Sequence, residues 1–148
     1  MTMVELLLMA TIDGQAVAIR SDQVESVVDI GTVTPVPLAR RAVRGLAALR
    51  SRVVTVIDTG VALDEAITPP PRRRAVVTRV DGHHYALLVD ALDDVLEFEV
   101  QPLTPGLVLC PRWAAVADGM IERGDTPVLI VDLPAIVARV TGEGRIAA

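Results

Sequence analysis

The sequence predicts an all-β fold of the barrel or sandwich class, and three features point there. About nine or ten short apolar runs, each bounded by turn residues, fall into two sets along the 148 residues. The chain is 51% apolar but only 2% aromatic, so valine, isoleucine, leucine and alanine fill the interior. β-Branched side chains of that kind fit a pleated, half-buried surface. The strands leave no room for repeated helices between them, which excludes a parallel α/β arrangement. Closing a sheet on itself removes the exposed edges that so many short strands would otherwise carry.

Val4 to Ala10 is an apolar run of strand length, Asp13-Gly14 a turn pair, and Gln15 to Ile19 a second run. Together they read as a hairpin. Val24 to Ile30 is the next strand, with a bulge or a helical turn near Asp22–Glu25. Pro35 and Pro37 break regular structure between Gly31 and Pro37, because proline fixes φ and removes a donor. Leu38 to Arg44 is expected to form about two turns of helix, ended by Gly45. Leu46 to Leu49 enters the core, Arg50-Ser51-Arg52 turns, and Val53 to Ile57 returns as an apolar strand.

Thr59 to Arg74, with prolines at 69, 70 and 71, reads as a linker, and Arg72-Arg73-Arg74 as its solvated exit. Ala75 to Val80, Asp81-Gly82 and Tyr85 to Val89 form a second hairpin. Val95 to Val100 alternates, which places Phe98 inward and Glu97 and Glu99 outward. Pro111 to Ala117 is a short helix with proline at its start. Gly119 to Ile121 and Thr126 to Val131 are the last strands. Leu133, Ile136, Val137 and Val140 recur at helical spacing, so Leu133 to Val140 is a helix. Residues 141–148 are expected to fray.

The two sets of runs echo each other. Gly45 precedes Asp58 by thirteen positions, and Gly119 precedes Asp132 by thirteen. Asp13-Gly14 is followed by Ala18, and Asp81-Gly82 by Ala86, each four past the glycine. The chain reads as two copies of one small unit.

Charge and composition narrow the function. A net charge of -5 and a pI near 4.9 argue against binding a nucleic-acid backbone. No run of eighteen uncharged apolar residues crosses a membrane as a helix, and the N-terminus lacks the pattern of a signal peptide. The lone Cys110, flanked by Leu109 and Pro111, reads as a buried, inert thiol in a reducing, cytoplasmic setting. His83 and His84 have no partner at metal-ligand spacing. Asp58, Asp90 and Asp132 each end an apolar strand, where a carboxylate accepts backbone N–H groups from the following turn. No cofactor and no catalytic cluster is expected. Recognition by surface remains, with Arg44, Arg50 and Arg52 around one turn as its candidates, since arginine pairs bidentately with carboxylates and packs through its stem.

The segment V-R-G-L-A-A-L-R-S-R-V-V-T-V-I-D, Val43 to Asp58, resembles the signature of the CheW-like family of chemotaxis adaptors. V-T-P-V-P before it, Y-A-L-L-V-D at Tyr85–Asp90 with A-L-D-D-V-L after it, and V-L-I-V-D-L at Val128–Leu133 are similar to further blocks of that family in the same order. The resemblance spans about residues 4 to 140. It implies two small, intertwined, five-stranded SH3-like barrels with a groove between them, and a C-terminal helix at 133–140. The expected division is a first barrel over 12–68, and a second over 74–133 joined by the N-terminal strand 4–11. It implies a non-enzymatic, cytoplasmic scaffold without cofactor. Its partners would be a chemoreceptor hairpin tip and the regulatory domain of a histidine kinase. Carried over by motif, Val36, Gly45, Arg50, Val89 and Asp90 join Arg44 and Arg52 of the turn as the expected binding residues, with Arg50 at the groove rim. The chain departs from the family pattern at Ser51, usually glycine, at Thr55, usually proline, and at Thr59, usually leucine. Those departures motivate an alternative, a regulatory or localisation module with one partner outside chemotaxis.

Overall fold

The computed structural model describes residues 3–68, 70–104 and 106–142. Ten strands run in chain order: β1 (Met3–Ile12), β2 (Gln15–Arg20), β3 (Ser26–Asp29), β4 (Val43–Leu49), β5 (Arg52–Asp58), β6 (Arg74–Val80), β7 (His83–Leu88), β8 (Ala91–Val100), β9 (Ala117–Arg123) and β10 (Thr126–Val131). Three short α-helices, α1 (Thr59–Leu63), α2 (Pro111–Ala114) and α3 (Leu133–Thr141), and a 3-10 turn at Ser21–Gln23 join them. The strands form two five-stranded sheets. The first has the order β8-β1-β2-β10-β9, the second β3-β6-β7-β5-β4.

The two sheets are built from two equivalent halves that exchange hairpins. The first half places β1–β2 in the first sheet and β3, β4 and β5 in the second. The second half places β6–β7 in the second sheet and β8, β9 and β10 in the first. Each exchanged hairpin docks by a parallel pair, β2 on β10 and β7 on β5. The division expected at residues 68–74 therefore does not separate the sheets. Strands β6 and β7 lie with β3, β4 and β5, and β2 lies with the C-terminal strands.

The repeated residues occupy matching places. Asp13-Gly14 and Asp81-Gly82 turn with φ of 50° and 77°, and of 51° and 81°, the doubly positive geometry of tight hairpin turns. Gly45 and Gly119 sit at φ of 141° and 139°. The residue after each makes an isolated bridge, Leu46 to Thr34 and Met120 to Gln101. These single bridges are where the outer strands of each sheet approach each other. Asp58 and Asp132 cap α1 and α3, accepting from the backbone N–H of Val61 and Ala135 at 3.0 Å each.

Three apolar clusters follow from this wrapping. Ala47, Val54, Val56, Val77 and Leu88 pack inside the second sheet, and Leu7, Met9, Ile121 and Ile130 inside the first. The largest lies between the sheets, where Leu8, Ile12, Ile57 and Leu87 meet Val61 of α1 and Leu133, Ile136, Val137 and Val140 of α3. Strands with a core on both faces read as unbroken apolar runs, as in A-L-L-V of β7 and its exit. Phe98 packs on the first-sheet core while Glu97 and Glu99 are exposed, as the alternation predicts.

Four expectations are corrected. Residues 38–44 are not helical, because Leu38 sits at φ 62°, outside the right-handed helical region, and the chain is drawn into the β4 ladder from Val43. The linker begins later than expected, since Thr59–Leu63 is a fully buried helical turn held by its Asp58 cap and its packing. The Arg72 side chain is buried, as described below. Cys110 is exposed. Of the proline run, residue 69 lies outside the described residues, as does the expected fraying of 143–148.

Candidate interaction surface

The seven residues expected to bind partners fall into two groups. Gly45 and Val89 are interior. Gly45 is buried, and a Cβ there would stand 2.1 Å from the Thr34 carbonyl oxygen. Val89 is 2% exposed and packs in the central core. Both shape the fold and present no contact surface. Val36, Arg44, Arg50, Arg52 and Asp90 are exposed. Arg44 lies six residues along β4 from Arg50, about 20 Å in an extended strand, so it does not belong to the turn with Arg50 and Arg52.

Asp90 belongs to a network that joins the halves. Arg72, with a side chain 5% exposed, donates through Nη1 to both carboxylate oxygens of Asp58 at 2.8 and 2.9 Å. Its Nε donates to Asp90 at 2.6 Å. Asp90 also accepts the backbone N–H of Gly14 at 2.7 Å. One guanidinium thus ties the cap of α1, the exit of β7 and the β1–β2 turn together. Burial opposes its charge, but the charges and hydrogen bonds of Asp58 and Asp90 outweigh that and raise its pKa. At Asp132, which caps α3 in the other half, the partner is an uncharged side chain: Gln23 donates to Asp132 at 2.6 Å and accepts from the Leu133 N–H at 3.0 Å.

Arg50 and Arg52 flank the β4–β5 turn. Arg50 takes φ 56°, and Ser51 is not among the residues with positive φ. Serine in place of the family's glycine therefore carries no left-handed strain. Thr59 is absorbed too, its hydroxyl donating to the Leu88 carbonyl inside the fold. Arg52 pairs with Glu25 at 3.3 Å, and Glu25 meets His84 at 3.1 Å; Arg52 also touches His84. Arg50 has no acidic partner among the described residues.

The turn overhangs a surface cleft of about 600 Å³. Glu25–Asp29 line one wall, Leu49–Arg52 the other, and Val77 the floor. This cleft is not a groove between the two sheets, which share the central core. It is the gap between β3 and β4, the two edges of the second sheet. A second hollow, of about 390 Å³, lies where the β2–β3 connection meets β6 and Pro134 of α3. Sequence reasoning missed both the gap and Arg72, since strand edges and buried ion pairs are set by pairings distant in the chain.

Among the described residues no group of three or more His, Cys, Asp or Glu is placed to hold a metal, and no helix is long and apolar enough to cross a membrane. The CheW-like domain model matches residues 6–141. The chain belongs to the CheW-like domain family. This CheW-like chain is 25% identical over 130 residues to the chemotaxis protein CheW of Thermotoga maritima, covering 88% of the chain and 85% of that relative. Its fold is similar to the scaffolding protein TtCheW of Thermoanaerobacter tengcongensis, with a TM-score of 0.76 and 19% identity over 90% of this chain and 92% of that one. CheW-like proteins are non-catalytic scaffolds of chemotaxis signalling, which agrees with a surface built for contact.

Proposed function

We propose that this chain is a non-enzymatic adaptor that couples the cytoplasmic hairpin tip of a chemoreceptor to the regulatory domain of a histidine kinase. Each five-stranded sheet, curled over its own apolar cluster, acts as a small SH3-like barrel, and the pair works as a rigid spacer placed at a receptor array in the cytoplasm. Membership of the family over residues 6–141 is the observation that carries this reading. Arg50 supports it, as an exposed cation at a cleft lip with no acid committed to it. The exposed Val36, Arg44 and Arg52 are its further contact candidates. An adaptor of this kind transmits by holding two partners in fixed relation, so rigidity across the halves is part of its function. The single-partner alternative loses much of its motive, because Ser51 and Thr59 are accommodated within the fold.

Arg50→Glu tests the reading. It leaves no buried group unpaired and keeps the left-handed φ at a non-glycine residue, so unfolding free energy is expected to change by less than about 0.5 kcal/mol. Affinity for at least one partner is expected to fall about 10- to 100-fold, read by calorimetry with the isolated receptor tip and kinase regulatory domain. Unchanged affinity for both removes Arg50 from the docking surface.

A further inference from the structure

The second sheet is left open between its edge strands β3 and β4, where the cleft lies. Ile30 donates its N–H to the Arg73 carbonyl at 2.7 Å. In an antiparallel pair, bonding to the neighbour alternates along the strand. Val28 and Ser26, two and four residues back in unbroken register with Ala75 and Val77, therefore face β6. Val27 and Asp29 turn their N–H and C=O groups the other way, into the cleft. Among the described residues the seam is zipped on the far wall only where Thr34 and Leu46 exchange bonds at 2.8 and 2.9 Å. It opens towards the β4–β5 turn, so β3 presents a free edge to a cavity.

We propose that this seam binds an extended segment of a partner protein, which pairs as a strand with β3 and carries a carboxylate side chain to Arg50. The charges of the walls point to that chemistry. Glu25 is engaged by Arg52 and His84, and Asp29 by Arg74 at 3.2 Å. Arg50 is the uncommitted cleft-wall charge among the described residues, so the cavity is left with one cation to satisfy. The apolar requirement is equally local. Val27 is 41% exposed on the edge and Val77 forms the floor, so side chains alternating along the segment place an apolar group inward. Backbone bonds at Val27 and Asp29 supply affinity, and Arg50 with the apolar floor supplies selectivity. Nothing here depends on which protein donates the segment, so the seam goes beyond the adaptor reading and stands or falls separately.

The probe is a blocked hexapeptide of alternating threonine and valine with one glutamate, titrated into the isotopically labelled full chain. The Val27 and Asp29 amide resonances are expected to move in a saturable way. Exchanging the peptide's glutamate for lysine, or introducing Arg50→Glu, is expected to weaken binding at least tenfold, and combining the two to restore part of it. A copy N-methylated at alternate amides loses the edge bonds and is expected not to bind. Val27→Pro, at a position whose N–H takes no part in the β6 ladder, is expected to keep the fold and lose the peptide. Still amides at Val27 and Asp29 under millimolar peptide, or equal binding by the methylated copy, overturn the proposal. So does binding indifferent to the sign of the peptide's charge. No receptor or kinase enters this experiment, so its failure leaves the adaptor reading untouched.

Discussion

Arg72→Met is expected to lower the unfolding free energy by about 3–5 kcal/mol, since removing one partner of a buried pair strands the other. Asp58 is 2% exposed and loses two charge-assisted hydrogen bonds in this variant, keeping only the Val61 N–H. Asp90 keeps the Gly14 N–H but loses its cation. A loss of that size is a large share of the roughly 5–15 kcal/mol that holds a domain of this kind folded. Chemical denaturation followed by circular dichroism measures it. A double-mutant cycle with Asp58→Asn separates the pair from simple loss of packing, with a coupling of about 1–3 kcal/mol expected. A loss under about 1 kcal/mol, with no coupling, means that the network does not hold the halves together.

Gly45→Ala is expected to be more damaging than Gly119→Ala, although both glycines occupy the same place in the two halves. Their φ angles of 141° and 139° impose a similar conformational cost, about 1–3 kcal/mol. The difference lies in what a Cβ meets. At Gly45 it stands 2.1 Å from the Thr34 carbonyl oxygen and 2.7 Å from its carbon, so the Thr34–Leu46 bridge must break. At Gly119 the nearest atom is the Gln101 carbonyl oxygen at 3.1 Å, which a small shift accommodates. Gly45→Ala is therefore expected to cost about 2 kcal/mol more, with the lost hydrogen bonds and packing added to the strain. Amide exchange at Leu46 and Thr34 reports the same event locally. Equal destabilisation of the two variants contradicts the close approach at Thr34.

Much of this fold is legible in the sequence because its signals are local. Asp-Gly pairs between apolar runs announce both hairpins, and the spacing of Leu133, Ile136, Val137 and Val140 announces α3. The doubling of Gly45 and Asp58 in Gly119 and Asp132 has a direct structural meaning, a glycine at the sheet seam and an acid capping the helix beyond. The exchange of hairpins is legible only in part: the family resemblance joins residues 4–11 to the second barrel, and β1 does lie with β8, β9 and β10, but β2, β6 and β7 also change sheets. It is decided by β2 on β10 and β7 on β5, and an apolar run such as Tyr85–Leu88 fits beside either sheet equally well. Arg72 was hidden for a similar reason, since three adjacent arginines after prolines look solvated until Asp58 and Asp90 are seen beside one of them. Leu38 misled because a bulky residue at positive φ leaves no mark in the local sequence. Among the candidate contacts, family likeness picked out Gly45 and Val89 together with Arg50. Only burial sorts the two interior residues from the one left exposed.

The central claim is that the chain holds two partners at once without chemistry of its own. Analytical ultracentrifugation of the chain mixed with a receptor cytoplasmic hairpin and a kinase regulatory domain tests it most directly. The account predicts a species containing all three, formed at concentrations where receptor and kinase domain alone do not associate, and depleted by Arg50→Glu. Competition between the two partners for the chain, or binding of neither, contradicts it.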